Sequence, residues 1–162
     1  MIPVLIAGLA VDARSQPVVI LKPLDDEVGQ GRILPIWIGG LEAAAIVAGL
    51  NEVSPPRPLT LDLMRDMIHT LDAEVERIEV TRLEEGTFFA EITLDTPGGE
   101  RVLDARPSDA IGLSLRTGTT IWVAEEVLDR AGIVMEQDVD EEAEVAAFSE
   151  FLDHVDPEDF QG

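Results

Sequence analysis

The first 40 residues alternate between apolar segments and short polar turns, a pattern that is typical of antiparallel strands. Residues 2–11 and 17–21 are apolar and flank a polar turn at 12–16, so we predict a β-hairpin. A third strand is predicted over residues 32–38, where two glycines end it. The chain therefore begins with three strands.

Two helices are predicted next, from residue spacings of three and four and from their end signals. The first covers residues 41–50, which are rich in alanine and carry Glu42 in the first turn, where the helix dipole favours an acid. The second covers residues 60–71, with Thr60 as the predicted capping residue. Its apolar positions are Leu63, Met64, Met67, Ile68 and Leu71.

The second half of the chain returns to alternation, which predicts a three-stranded meander followed by one more strand between two helices. The third helix begins at Pro107, since proline suits a first helical turn. The predicted fold is α+β (mixed α/β), with about seven strands in a mixed or antiparallel sheet and about four helices. The predicted elements of this half are strands 73–83, 88–94, 101–105 and 119–123 and helices 107–117 and 125–131.

Negative charge is concentrated at the C-terminus. The chain has 162 residues and a formal net charge of −22, from 33 acidic and 11 basic residues. Residues 136–162 carry 11 of the acids and no Lys or Arg, so half of the net charge lies there. We divide the chain into a domain at 1–135 and an acidic tail at 136–162. Helical spacing in the tail predicts an acidic helix docked on the body or on a second subunit; the alternative is a frayed, solvated tail.

Composition excludes several classes of site. The absence of cysteine excludes disulfides, thiolate metal sites and a cysteine nucleophile. Two histidines, His69 and His154, are too few for a multi-histidine zinc site in one chain. The sequence also has no Walker loop, no dinucleotide-binding glycine motif, no nucleophile elbow and no zincin motif.

The N-terminal apolar segment has no basic residue before it, and the apolar stretch 34–50 is interrupted by Pro35, two glycines and Glu42. These patterns do not suit a signal peptide or a membrane span, so we expect a cytoplasmic protein with no membrane partner. Ten arginines, one lysine and many carboxylates also suggest halophilic adaptation, because salt screens carboxylate repulsion.

Candidate chemistry lies in two proline-stiffened segments, 57–62 and 104–109, each with a guanidinium, a carboxylate and a hydroxyl at a helix start. Carboxylate oxygens prefer hard ions, and arginine binds phosphate bidentately. We predict that the segments converge on one open cleft suited to metal-assisted phosphodiester hydrolysis. The predicted catalytic residues are Asp62, Asp104, Asp109 and Ser108; the substrate-binding residues are Arg57, Arg106 and Thr60; Asp62, Asp104 and Asp109 are the predicted ligands of Mg²⁺ or Mn²⁺.

A structural reading of the same residues stays open. Asp and Thr at helix starts are common caps, and an arginine beside two acids is commonly an ion pair that joins two segments. In that reading the segments have no catalytic role.

Five segments in this order closely resemble the bifunctional nuclease family: LPIWIG at 34–39, EAAAI at 42–46, RPLTLDL at 57–63, GTFFA at 86–90 and DARPSDAI at 104–111. The resemblance covers about residues 1–135 and leaves the acidic tail outside. It implies a hydrolase with DNase and RNase activity.

Two positions depart from the resemblance. The family usually has a histidine where this chain has Leu61, and a tyrosine where it has Phe89. Both changes make the region less polar. Where the histidine serves the family as a base or a metal ligand, this chain lacks that group. Asp62, Asp104, Arg106, Ser108 and Asp109 are retained.

The net charge opposes nucleic-acid binding, because a chain at −22 repels a polyanion and lacks the basic surface that releases counterions. Two further functions therefore stay open: a non-catalytic dimeric regulatory or scaffold module, and a protein that binds a small anion or nucleotide. Apolar and alanine-rich helix faces lead us to expect a homo-oligomer, with a dimer favoured.

Overall fold

The structure is a computed structural model that describes residues 1–26 and 31–135. The described ranges contain eight strands and four helices. The strands are β1 (Ile2–Val11), β2 (Pro17–Pro23), β3 (Gly31–Trp37), β4 (Glu74–Glu84), β5 (Thr87–Asp95), β6 (Arg101–Ala105), β7 (Ile121–Val123) and β8 (Ile133–Met135). The helices are α1 (Gly40–Leu50), α2 (Thr60–Thr70), α3 (Pro107–Thr117) and α4 (Glu125–Ala131).

All eight described strands join one sheet in the order β6-β5-β4-β7-β1-β2-β3-β8. Neighbours are antiparallel except β4 and β7, which run parallel. The predicted α+β class with a mixed sheet and four helices is confirmed. The sequence pattern does not predict β8, because a segment of three residues is too short to show alternation.

The turn of the β1–β2 hairpin is held by the buried carboxylate of Asp12. Its Oδ1 accepts hydrogen bonds from the backbone N–H groups of Arg14 and Gln16, at 2.9 and 2.8 Å. Its Oδ2 accepts one from the indole Nε1 of Trp37, at 3.1 Å. Asp12 thus fixes the end of β3, where the chain leaves the sheet for α1.

Helix α3 is the most deeply buried helix of the described chain. It packs against α1 and α2 and also against β4 and β5. Seven of its residues are buried, including Pro107, Ser108 and Gly112. The apolar core therefore lies between the sheet and α3, with α1, α2 and α4 around it.

Two glycines allow the neighbouring helices to approach α3. A Cβ on Gly112 would lie 2.4 Å from Leu61 Cδ1 on α2, and a Cβ on Gly49 of α1 would lie 2.9 Å from Leu115 Cβ. A Cβ at Gly49 would overlap the Cβ of Leu115, which cannot turn away, so that contact requires glycine, whereas a Cβ at Gly112 would force the Leu61 side chain to move. The three helices are consequently packed with little space between them.

No helix within residues 1–26 and 31–135 is long and apolar enough to cross a membrane. The predicted acidic helix of residues 136–162 lies outside the described residues.

Gly132→Ala is expected to lower the free energy of unfolding by about 2 kcal/mol. The added Cβ would lie 2.3 Å from the carbonyl oxygen of Leu128, a backbone atom that cannot turn away. The matched control is Gly40→Ala, where no atom lies within 4 Å and stability should be unchanged or raised by about 0.5 kcal/mol. Urea unfolding measures both; equal stability of Gly132→Ala and the wild type would contradict this account of the end of α4.

Candidate functional site

The guanidinium of Arg106 joins the starts of α1 and α3. Its Nε and Nη2 donate to Asp109 Oδ2 and Oδ1 at 2.7 and 2.9 Å, and its Nη1 donates to Glu42 Oε1 at 3.0 Å. The Arg106 side chain is 56% exposed, so the group lies in contact with solvent. We call these three residues the Arg106 cluster.

Local sequence places each member of the Arg106 cluster. The chain leaves β6 in an extended conformation at Arg106, and Pro107 then starts α3 with its fixed backbone angle. Asp109 and Glu42 lie in the first turns of α3 and α1, where the positive helix ends stabilise their negative charge. The hydrogen bonds to Asp109 raise the pKa of Arg106, so the guanidinium stays charged.

Gly39 makes room for Glu42. A Cβ on Gly39 would lie 2.1 Å from Glu42 Oε2, so a larger residue there would displace the carboxylate. The carboxylate of Glu42 therefore already lies at the N-terminus of α1, the end of the helix that attracts anions. Beside it, a cleft of about 470 Å³ is lined by Ser15, Gln16, Pro17, Trp37, Ile38, Gly39 and Gly40.

Asp62 belongs to a second group, which is mostly buried. Its Oδ1 accepts a hydrogen bond from Arg116 Nε at 2.9 Å, and its Oδ2 accepts one from the backbone N–H of Leu59 at 2.9 Å. The side chains of Arg116 and Asp62 are 7% and 13% exposed. The hydrogen bond from Leu59 and the contact with Arg116 lower the pKa of Asp62, against the opposing effect of burial.

Arg116 also bonds backbone carbonyl oxygens of its own helix and of α1. Its Nη1 donates to the carbonyl oxygen of Gly112 at 2.7 Å, and its Nη2 donates to that of Ala45 at 3.0 Å. One guanidinium thus connects α1, α2 and α3, and we call this arrangement the Arg116 clamp. Sequence reasoning missed Arg116; its place in the last turn of α3, where free carbonyls need donors, is the available signal.

The two predicted segments contribute to different groups. Arg106 and Arg116 are ten residues apart, which is about 15 Å along a helix axis. The structure therefore brings Arg106 and Asp109 together, adds Glu42, and places Asp62 in the Arg116 clamp near the other end of α3. Two shallow clefts of about 240 and 230 Å³ open beside Asp62 and Arg65.

The other predicted residues lie apart from these contacts. Arg57 and Thr60 are exposed, and Ser108 is buried in the first turn of α3. Asp104 is exposed on β6, directly opposite Glu91 of β5. The prediction that Thr60 caps α2 is wrong: the cap is at Leu59, whose backbone N–H is bound by the Asp62 carboxylate from inside the helix.

Among the described residues, no three His, Asp or Glu side chains are grouped so that they could hold a metal ion. Both oxygens of Asp62 and both of Asp109 already accept hydrogen bonds. Asp62, Asp104 and Asp109 therefore do not fit a shared Mg²⁺ or Mn²⁺ site in this arrangement.

The two departures from the family pattern have packing roles. Leu61 is 7% exposed and contacts the Gly112 position of α3, so it fills the interface between two helices. Phe89 lies under the guanidinium of Arg82, whose central carbon is 4.0 Å from the ring centroid. Neither side chain supplies a base or a ligand.

Comparisons with known proteins agree with the motifs. A sequence profile of the bifunctional nuclease domain matches residues 19–136, from β2 past the end of β8. An uncharacterized protein of Mycobacterium tuberculosis is 42% identical over 164 residues, which cover 96% of each chain. Bifunctional nucleases 1 and 2 of Arabidopsis thaliana are 29% and 31% identical and match 69% and 65% of this chain but 34% and 32% of their own length.

This α+β chain, with an arginine–carboxylate cluster where two helices begin, thus shares a domain with proteins that are named nucleases. It is a member of the bifunctional nuclease domain family. The chain spans about a third of the length of the plant relatives, whereas it matches almost the whole mycobacterial protein.

Asp62→Asn is expected to lower the free energy of unfolding by about 3 kcal/mol at pH 7, because it leaves Arg116 buried without its counter-charge. The folded-state pKa of Asp62 lies below its ordinary 3.8, so its contribution is present above that pH and is lost as pH falls through the folded pKa. The stability difference between wild type and variant should therefore shrink below about pH 4. Denaturant unfolding at pH 7 and in acid measures it; a difference that does not change with pH would contradict the assignment.

Proposed function

We propose that this chain hydrolyses phosphodiester bonds in single-stranded nucleic acid, and that the Arg106 cluster is its site. The supporting observation is that Arg106, which is more than half exposed, lies between two carboxylates at the start of α3. Family membership supports the reaction class. Of the two predicted segments, the proposed site keeps 104–109, and it adds Glu42 of α1.

Arg106 has the geometry that phosphate recognition needs. Its Nε and Nη2 already hold a carboxylate in a bidentate contact, and a phosphate offers the same pair of oxygens. When phosphate takes the place of the Asp109 carboxylate, Asp109 is released beside it while Glu42 stays on Nη1. Either carboxylate can accept a proton from the attacking water as the water oxygen bonds to phosphorus and the bond from phosphorus to the leaving oxygen breaks. The leaving oxygen then takes a proton from that carboxyl group or from solvent.

The net charge sets the substrate class. A chain at −22 repels long duplexes, whose phosphates are closely spaced and stiffly held. A flexible single strand can present one phosphate to Arg106 with fewer phosphates near the acidic surface. Because salt screens this repulsion, we expect cleavage to become faster as ionic strength rises from dilute buffer.

Mg²⁺ or Mn²⁺ stays a prediction. No group of His, Asp or Glu among the described residues is arranged to hold either ion, so the proposed step does not depend on one. Activity measured with each ion and with a chelator tests whether the reaction needs a metal.

Arg106→Ala is expected to lower the cleavage rate of single-stranded RNA and DNA by about 100-fold, because it removes the phosphate-binding group. Glu42→Gln and Asp109→Asn identify the base: the variant of the base loses activity by a similar factor, and the other keeps a larger share of it.

The matched control is Arg101→Ala, an exposed arginine five residues away on β6 that bonds the carbonyl of Glu100. It should cleave at the wild-type rate. Cleavage that is equal in Arg106→Ala and the wild type would reject the proposed site and point to a contaminating nuclease. Circular dichroism and thermal unfolding confirm that all variants are folded.

A non-catalytic module is the second candidate, and one observation favours it. All three guanidinium nitrogens of Arg106 already carry hydrogen bonds, so the cluster also serves to join α1 to α3. In this case the purified chain cleaves no substrate with either ion, while Arg106→Ala lowers the melting temperature. The same set of variants thus separates the two functions.

A further inference from the structure

A cleft of about 470 Å³ separates the turn of the β1–β2 hairpin from the start of α1. Residues 15–17 form one wall and residues 37–40 form the other. The backbone N–H of Ile38 donates to the carbonyl oxygen of Pro17 at 2.9 Å, and the carboxylate of Asp12 holds both Gln16 and Trp37. These bonds fix both walls, so the cleft does not need a ligand to form. We call it the α1 cleft.

The α1 cleft begins next to the Arg106 cluster. Glu42 Oε1 lies 3.6 Å from the position of a Cβ on Gly39 and 3.0 Å from Arg106 Nη1. One carboxylate therefore separates the edge of the cleft from the guanidinium. A nucleotide has its phosphate, sugar and base in the same order, so a phosphate on Arg106 places the sugar beside Glu42 and the base at the cleft.

The lining of the α1 cleft suits a nucleobase. The seven described residues that line it are uncharged, although the chain has a net charge of −22. Ser15 and Gln16 are exposed, and their side chains can both donate and accept hydrogen bonds, as the edges of bases do. Pro17 and Ile38 add apolar surface for the faces of the ring.

We propose that the α1 cleft holds one unpaired nucleobase of the substrate, that of the nucleotide whose phosphate lies on Arg106. The inference rests on the proposed function, since it takes Arg106 as the phosphate-binding residue. A base within a duplex is paired and stacked, and it cannot enter a side cleft without leaving the double helix. The α1 cleft is therefore a reason, separate from charge, for the selection of single strands.

Two kinds of short phosphorothioate strand test the proposal, because they carry the same charge and differ only in one base. Both consist of abasic nucleotides, and the single-base strand carries one nucleobase at its centre, with each of the four bases tried in turn. Titration calorimetry with the full chain should give a dissociation constant about 10-fold lower for at least one single-base strand than for the base-free strand.

Gly40→Leu should abolish this preference for the single-base strand. No atom of the described chain lies within 4 Å of a Cβ on Gly40, so leucine fits there, takes up space in the cleft and remains a good helix former. The matched control is Gly98→Leu, in an exposed turn that does not line the cleft, where the nearest atom is 3.5 Å from the added Cβ. The control should keep the preference.

Fluorescence of Trp37 locates the base. The chain has two tryptophans, so Trp122→Phe leaves Trp37, which lines the cleft, as the sole indole. Its emission should change when the single-base strand saturates the protein and should stay the same with the base-free strand. An emission that neither strand changes would reject the α1 cleft as the place of the base.

Equal affinity of the wild type for all the strands would overturn the proposal and leave phosphate binding by Arg106 intact. A preference that Gly40→Leu retains, with circular dichroism like that of the wild type, would also overturn it. Arg106→Ala separates the proposal from the proposed function, because it should weaken the binding of all the strands by the same factor. If it weakens none of them while the preference still depends on Gly40, the assignment of Arg106 fails and the cleft remains a site for a base.

Discussion

The arrangement of the helices depends on the hydrogen bonds and the ion pair of the buried Arg116 guanidinium. It neutralises Asp62 and also bonds carbonyl oxygens of α1 and α3, so its charge and three of its donors are satisfied away from water. An unpaired charge at this position would lower the stability of the fold, so the helices pack in this way only when Arg116 has all of its partners. Gly49 and Gly112 supply the close approach that brings the partners within reach.

The two ends of α3 have opposite environments. At Arg116 the arginine is 7% exposed and held within the helix layer; at Arg106 it is 56% exposed and held by two carboxylates that solvent can reach. An anion from solution can reach the exposed end, because Arg106 and both of its carboxylates contact water. The buried end cannot do so without exposing a charge to an apolar surrounding. This contrast is why the proposed chemistry is assigned to the Arg106 cluster and the structural role to the Arg116 clamp.

Local pattern predicted most of the fold and part of the site. The hairpin, the meander and the four helices follow from alternation, helical spacing and glycine or proline end signals, all of which act over a few residues. The pairing of Arg106 with Asp109 is also local, since the two are three positions apart. Glu42 and Arg116 were not recognised as partners because their contacts join residues 64 and 54 positions apart. The sequence does not predict which side of α2 faces the core, because apolar residues lie on two sides of this helix. Only tertiary packing decides that Leu61, rather than Leu63, faces the core.

Leu61 links the helix packing to the function. The histidine expected at this position from the family resemblance would introduce a polar ring against Gly112, in an interface that the clamp holds closed. Leucine fills the same space and adds apolar contact, so this chain favours packing at that point. In the proposed function, the role of the base is therefore assigned to the carboxylates beside Arg106.

Binding of a non-hydrolysable substrate tests the central claim most directly. A fluorescent single-stranded phosphorothioate oligonucleotide, titrated with the wild type and with Arg106→Lys, separates phosphate recognition from the chemical step. Lysine keeps the charge but loses the bidentate contact, so we expect the dissociation constant to rise by about 10-fold or more. Equal affinity of the two proteins for the oligonucleotide would contradict the assignment of Arg106 as the phosphate-binding residue.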